Sequence, residues 1–132
     1  MSADSVNGVR LIPIGRGADD LRFFIRMDGA HAGGITVHSV DGNAFSYGIA
    51  IAPDMRRRGV ATAALVQLFE QMHLRGFARA RVEVQAQNAA SLALHRKLGF
   101  VRTGEGAGTV SLEKRLNKAE KRDEQREAKK GV

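Results

Sequence analysis

The 132-residue sequence contains no cysteine and no tryptophan, and these absences exclude several classes of protein. Without cysteine there is no disulfide framework, no thiolate metal site and no cysteine nucleophile, and we predict no metal centre. Six phenylalanines and one tyrosine are too few aromatic residues for an RNA-binding sheet of stacked rings. No apolar run approaches the roughly 18 residues of a membrane-spanning helix. Residues 1–8 have no secretory-signal pattern, so we expect a cytoplasmic protein without a membrane partner.

The composition predicts one domain followed by a charged extension. Hydrophobic residues make up 43% of the chain and charged residues 27%, which are ordinary values for a globular protein. The formal net charge is +7, and residues 113–132 contribute +3 of it, from eight basic and five acidic residues. We therefore predict a domain over residues 1–112 and a basic tail over residues 113–132, either helical or frayed. A basic surface favours anionic partners but does not choose among them.

Hydrophobic periodicity predicts an α/β fold in the order β-β-β-β-α-β-α-β-β. The predicted strands are 9–14, 21–27, 35–40, 44–52, 81–87, 100–103 and 109–112, and the predicted helices are 59–75 and 88–98. Asp28-Gly29 is a hairpin signal, so the first four strands should form an antiparallel meander. The two helices should then add parallel crossovers, which gives a mixed sheet.

The segment 53–62 joins the fourth strand to the first helix and has the sequence PDMRRRGVAT. The first turn of a helix has free N–H groups and the positive end of the helix dipole. Gly59 allows the backbone to approach a ligand closely, and Arg56, Arg57 and Arg58 add positive charge. This combination favours a phosphate or pyrophosphate, although the Gly-Lys-Ser/Thr ending of a P-loop is missing. The alternative is a basic surface turn before an ordinary helix.

The second candidate segment is the predicted helix 88–98. Asn88, Ser91 and His95 lie at i, i+3 and i+7, so they share one polar face of this helix. Leu94 and Leu98 form the apolar stripe that we expect to face the core. The alternative is a helix with an N-cap asparagine and an exposed or internally bonded histidine, without any site.

Together the two segments resemble the GNAT family, the Gcn5-related N-acetyltransferases. The first segment is similar to the family's Gln/Arg-x-x-Gly-x-Gly/Ala loop at Arg56, Gly59 and Ala61, and it follows a strand that ends in IAIAP. The second segment is similar to the family's Asn-x-x-Ala/Ser-x-x-Leu-Tyr-x-Lys-Leu-Gly-Phe pattern at Asn88, Ser91, Leu94, Lys97, Gly99 and Phe100. The resemblance implies a mixed, mostly antiparallel sheet flanked by helices. The family's N-terminal helix pair should be shortened or absent, because only residues 15–20 separate the first two predicted strands.

The resemblance also implies that acetyl-CoA is the co-substrate and that an acetyl group passes to an amine. The acceptor would be a small molecule, a peptide, or a lysine or N-terminus of a protein. Strand four would pair with the pantetheine arm, the loop would hold the pyrophosphate, and the polar face of the second helix would bind the arm. The expected cofactor-binding residues are Ile49, Ile51, Arg56, Arg57, Arg58, Gly59, Val60, Ala61, Thr62, Asn88 and Ser91.

The sequence departs from the family at the catalytic positions. His95 stands where the family usually has the tyrosine that protonates the thiolate, and we predict that His95 is the catalytic proton donor. The family's frequent strand-four glutamate matches Phe45, with Tyr47 next on that face, so water or His38 is left as the general base.

The alternative function is a GNAT-fold module for CoA binding or interaction, with weak or no activity and a basic tail that contacts a partner or nucleic acid. The mixed charges of the tail argue against sequence-specific recognition of nucleic acid. Weak, salt-sensitive binding of nucleic acid is left as an alternative. A homodimer is also left open.

Overall fold

A single mixed sheet of seven strands organises the part of the chain that the structure describes. The computed structural model describes residues 8–14, 21–41 and 43–116. The strands are β1 (Val9–Pro13), β2 (Leu21–Met27), β3 (Ala30–Asp41), β4 (Ala44–Ile51), β5 (Arg79–Gln85), β6 (Val101–Gly106) and β7 (Thr109–Arg115). The helices are α1 (Val60–Leu74) and α2 (Ala89–Lys97), and a 3₁₀ turn covers Pro53–Met55. The predicted order of elements is confirmed, and the strand order in the sheet is β1-β2-β3-β4-β5-β7-β6.

The first four strands form the predicted antiparallel meander. Asp28 and Gly29 have φ angles of 52° and 86°, which is the left-handed pair that a tight hairpin turn requires. β3 begins at Ala30, five residues before its predicted start, because pairing with β2 extends a glycine-rich stretch of low strand propensity. Only residues 14–20 separate β1 from β2, which is too short a connection for a pair of helices.

The central strands β4 and β5 are parallel, but they pair over only two residues. The register joins Ala44 to Arg79 and Phe45 to Ala80. Beyond these pairs β4 runs on to Ile51 and β5 to Gln85, so the two strands diverge and leave a gap between them. The second crossover, through α2, does not place β6 beside β5, because β7 lies between them and pairs antiparallel with both.

The hydrophobic core lies between the sheet and α1. Fully buried side chains from the two layers meet there, among them Phe23 and Ile35 of the sheet and Leu65 and Leu68 of α1. The buried Gln67 donates a hydrogen bond from Nε2 to the carbonyl of Val9 at 2.8 Å, which ties α1 to the edge strand β1. None of the helices within the described ranges is long and apolar enough to cross a membrane.

The C-terminal hairpin is longer than predicted. β6 continues to Gly106 through glycines that we expected in the turn, and β7 passes its predicted end at Leu112 and reaches Arg115. Leu116 is buried, and its N–H donates to the carbonyl of Ala78. The packed part of the chain therefore extends to Leu116 instead of ending at 112. The remainder of the predicted tail, residues 117–132, lies outside the described residues.

Gly33 in β3 provides a test of the packing between β3 and β4. Its φ is +154°, and a Cβ at this position would lie 2.1 Å from the carbonyl oxygen of Ala50. Gly33→Ala should therefore lower the free energy of unfolding by roughly 2 kcal/mol. Gly34→Ala is the matched control, since its Cβ would meet only the Phe23 carbonyl oxygen at 3.5 Å. Urea unfolding should separate the two variants, and equal midpoints would contradict this packing.

Candidate active site

The connection from β4 to α1 has the backbone geometry of an anion-binding loop. Arg57 and Gly59 both have positive φ angles, 63° and 79°. Gly59 is the N-cap residue of α1, and no side chain caps the helix. The N–H groups of the first turn, including those of Val60 and Ala61, therefore have no capping partner. Free N–H groups next to left-handed residues form a concave site for an anion.

A groove of about 780 Å³ runs from this loop to α2, beside the gap between β4 and β5. We call it the β4–α2 groove. It is lined by Ile49, Ala50, Ile51, Met55, Arg56, Arg57, Gly59, Val60, Ala61, Asn88, Ala90, Ser91, Leu94 and His95. The lining includes two arginines and no carboxylate, so its electrostatic potential favours an anionic ligand.

The structure brings most of the predicted cofactor-binding residues to this groove. The residues that line it as expected are Ile49, Ile51, Arg56, Arg57, Gly59, Val60, Ala61, Asn88 and Ser91. Arg58 is exposed and outside the lining, and Thr62 is also outside it. Leu94 and Leu98 are partly buried and pack against the core as expected, and Leu94 also lines the groove.

Both ends of α2 follow the prediction. The Oδ1 atom of Asn88 accepts a hydrogen bond from the N–H of Ser91 at 3.0 Å, which makes Asn88 the N-cap. Gly99 follows the last turn with a φ of 98°, as expected for a residue that ends a helix. The polar face of Asn88, Ser91 and His95 is thereby fixed toward the groove.

His95 is buried, and both of its ring nitrogens have hydrogen-bond partners. Nδ1 lies 2.9 Å from the carbonyl oxygen of Ser91, and Nε2 lies 2.9 Å from the hydroxyl of Tyr47. A carbonyl oxygen only accepts, so Nδ1 carries a proton. In the neutral ring Nε2 is then the acceptor, and the Tyr47 hydroxyl donates to it.

Burial holds both members of this pair in their neutral forms. It lowers the pKa of His95, and the hydrogen bond to the Ser91 carbonyl only partly opposes this shift. Burial also raises the pKa of Tyr47, so the phenol keeps its proton. The Tyr47 ring stacks with the His95 ring at a centroid distance of 6.0 Å, and Phe100 meets His95 edge-on at 4.9 Å. These ring contacts fix the orientation of both groups.

A second cavity of about 620 Å³ lies on the other side of Tyr47. We call it the β5 cavity. It is lined by Ser46, Tyr47, Arg81, Val82, Glu83, Thr103, Ser111, Leu112 and Glu113. The Glu113 carboxylate is paired with Arg81 at 3.1 Å and with Arg79 at 3.5 Å. The Glu83 carboxylate has no hydrogen-bond or ion-pair partner among the described residues.

Sequence reasoning missed Tyr47 and Glu83 as site residues. Glu83 stands at an exposed position between the buried Val82 and Val84, so strand alternation could have placed it on the open face of β5. Nothing in the sequence joins Tyr47 to His95, which is 48 residues away. His38, considered above as a base, is exposed on β3 and lines neither cavity.

Comparison with known proteins identifies the family. A model of the acetyltransferase (GNAT) family matches residues 8–100, so the protein belongs to this family. The chain is 36% identical over 80 residues to the [ribosomal protein bS18]-alanine N-acetyltransferase of Escherichia coli K12, which is 61% of this chain and 54% of that protein. The Salmonella typhimurium LT2 protein of the same name is 41% identical over 54 residues, which is 41% of this chain and 36% of that protein. The chain thus spans about half the length, or less, of these curated relatives.

Solved structures share the fold. The crystal structure of the E. coli ribosomal-protein-S18-alanine N-acetyltransferase superimposes with a TM-score of 0.67 and 26% identity, over 77% of this chain and 72% of that one. The spermidine/spermine N-acetyltransferase SpeG from Vibrio cholerae gives a TM-score of 0.70 and 16% identity, over 81% and 71% of the two chains. PaiA N-acetyltransferase from Thermoplasma acidophilum was solved in complex with coenzyme A. It gives a TM-score of 0.67 and 19% identity, over 74% of this chain and 61% of that one. The predicted fold class is confirmed.

The lowered pKa of His95 predicts how stability depends on pH. The unfolded chain binds a proton at His95 below about pH 6.5, whereas the folded protein resists protonation until its lower pKa is reached. The free energy of unfolding should therefore fall as the pH drops from about 6.5 to the lowered pKa, and then level off. Urea unfolding of wild type and His95→Phe over this range isolates the contribution, because the other histidines are common to both proteins. Parallel pH curves for the two proteins would contradict a neutral, buried His95.

Proposed function

We propose that the protein is an N-acetyltransferase that transfers the acetyl group of acetyl-CoA to an amine. The observation that carries this proposal is the gap between β4 and β5. It lies beside a groove with a cationic loop and beside a cavity with a carboxylate, that of Glu83, which has no partner among the described residues. An anionic thioester on one side and a cationic amine on the other would meet at the gap. Membership of the acetyltransferase family supports the same reading.

The residues of the β4–α2 groove are suited to the cofactor in three places. The N–H groups of residues 57–62 would bind the pyrophosphate, with added charge from Arg56 and Arg57. The backbone of Ile49 and Ile51 would pair with the pantetheine arm in the manner of an added strand. The Ile51 carbonyl already accepts from Nε of Arg56 at 3.1 Å, so this carbonyl would have to accept a second bond. Asn88 and Ser91 would bind the arm from α2.

The β5 cavity is the proposed acceptor site. Glu83 would attract the ammonium form of the acceptor, because its negative charge has no partner among the described residues. The curated relatives are named as alanine N-acetyltransferases of a ribosomal protein, and we therefore propose the N-terminal amine of a protein or peptide as the acceptor class. His95, at the groove wall, remains the residue that we propose for proton transfer.

Binding of the cofactor can be tested without knowing the acceptor. CoA should raise the melting temperature of the wild-type protein, since a ligand of the native state stabilises it by mass action. Gly59→Glu should abolish this rise, because it puts bulk and negative charge where the phosphates would bind. Gly76→Glu is the matched control, since Gly76 also has a positive φ and open space around it but follows the far end of α1. A wild-type protein with no thermal shift at millimolar CoA would overturn the proposed cofactor.

Activity is measured by thiol release from acetyl-CoA with three acceptors and one blocked peptide as a control. We expect a peptide with a free N-terminal alanine to be acetylated, and the same peptide with a blocked N-terminus to be inert. Spermidine and a lysine peptide with a blocked N-terminus complete the set, because they offer amines without a peptide N-terminus. Preference for either would change the acceptor class, and the absence of thiol release with every amine would overturn the proposed activity.

A further inference from the structure

The hydrogen-bonded pair of Tyr47 and His95 lies between the two cavities of the proposed site. His95 lines the β4–α2 groove, Tyr47 lines the β5 cavity, and 2.9 Å separates the Tyr47 hydroxyl from Nε2 of His95. The pair thus lies between the side from which the thioester would come and the side from which the amine would come. Tyr47 is the only tyrosine of the chain.

The hydrogen bonds of His95 restrict what it can do by itself. Its Nδ1–H is already donated to the Ser91 carbonyl, and Nε2 of the neutral ring accepts from Tyr47. The neutral ring therefore has no free N–H to offer to a leaving thiolate. The proton that the pair can give up is on the Tyr47 hydroxyl. The basic atom that accepts the hydrogen bond of this hydroxyl is Nε2 of His95.

We propose that Tyr47 and His95 act as one acid–base pair in which the Tyr47 hydroxyl passes protons and Nε2 of His95 stores one. This inference rests on the proposed acetyl transfer and names the groups that move its proton. It differs from the sequence prediction, in which His95 alone donates a proton as an imidazolium. It also supplies the general base that the sequence left unassigned.

The proton balance closes for the free amine, which forms when the ammonium form of the acceptor releases one proton to solvent before the attack. The amine nitrogen forms a bond to the thioester carbonyl carbon, and its extra proton passes to Tyr47 Oη as the hydroxyl's own proton moves to Nε2 of His95. The C–S bond then breaks with its electron pair on sulfur. The proton on Nε2 returns through Tyr47 Oη to that sulfur. The products are an amide and a thiol, and both side chains regain their initial states.

The Tyr47 hydroxyl can exchange protons with both the amine nitrogen and the sulfur, for a geometric reason. The amine nitrogen and the sulfur are bonded to the same carbon during the transfer, so an oxygen within reach of one atom is near the other. The Nδ1–H of His95 stays on the Ser91 carbonyl throughout and keeps the ring oriented.

The surroundings keep the charged form of the pair short-lived. Within the described chain, α1 faces the pair with Phe69 and the end of α2 is followed by Phe100, neither of which titrates. On β7, Lys114 lies over the Phe69 ring at 5.8 Å from its centroid. On the other side, Tyr47 shares the β5 cavity with Glu83 and with the ion pair of Arg81 and Glu113. The burial of His95 among aromatic rings disfavours a lasting imidazolium, so the proton is returned to the leaving sulfur.

The decisive experiment is a double-mutant cycle on thiol release. Tyr47→Phe keeps the ring and removes only the hydroxyl, and His95→Phe removes the storing nitrogen. Each variant should lower kcat by about 10²-fold, and the double variant should lose no more than the worse single one, because the two groups act as a unit. The CoA-induced thermal shift should be retained by all three, which shows that they fold and bind. If Tyr47→Phe keeps the wild-type kcat, or if the losses in kcat multiply in the double variant, the proposal that the two residues act as one pair would be overturned.

The pH profile gives a second readout that a structural role would not change. The ratio of kcat in wild type to kcat in Tyr47→Phe cancels the ionisation of the amine. This ratio should be constant above the pKa of His95 and should fall as the pH drops below it, because the working form is neutral. A ratio that falls as the pH rises through that pKa would contradict the pair and support the sequence prediction, in which His95 donates a proton as an imidazolium. If the wild-type protein releases no thiol with any amine, the proposed function would be overturned. Failure of the acid–base pair and failure of the proposed function are therefore distinguishable.

Discussion

The limited pairing of β4 with β5 is the constraint on which the rest of the site depends. Parallel strands ordinarily continue their ladder, but here it stops after Phe45 and Ala80. The backbone of β4 beyond Phe45 is then free of β5, and the side chains of both strands border open space. α1 follows β4 through the connection 52–59, so an uncapped helix N-terminus lies at one end of this gap. α2 follows β5 and brings its polar face to the other side.

Charge and burial divide this region into three parts. Arg56 and Arg57 make the loop end cationic, and Glu83 gives the β5 cavity a negative charge that no described residue pairs with. Between them lie the buried His95 and the partly buried Tyr47, both neutral and surrounded by aromatic rings. A charged group at that position would lose much of its hydration. A proton can pass between the Tyr47 hydroxyl and Nε2 of His95 along their hydrogen bond, so any charge on the pair is short-lived.

The outcome of individual predictions shows where sequence reasoning was sufficient. The tight turn at Asp28-Gly29 and the N-cap at Asn88 follow from local backbone chemistry, and the structure has both. The early start of β3 and the late end of β7 were missed, because pairing with a neighbouring strand extended segments with poor local signals. Helical spacing placed Leu94 against the core, which is confirmed, but only the tertiary structure shows that it also lines the groove.

The sequence by itself determined the order of the elements, the cationic loop with a glycine N-cap at residues 56–59 and the shared face of Asn88 and His95. Each of these depends on residues within two helical turns or one loop of each other, so spacing and residue type decide them. The tertiary structure alone decided that β7 lies between β5 and β6, that the Glu83 carboxylate has no partner among the described residues, and that Tyr47 meets His95. These relations join distant parts of the chain. No local pattern encodes the distance at which two parallel strands separate.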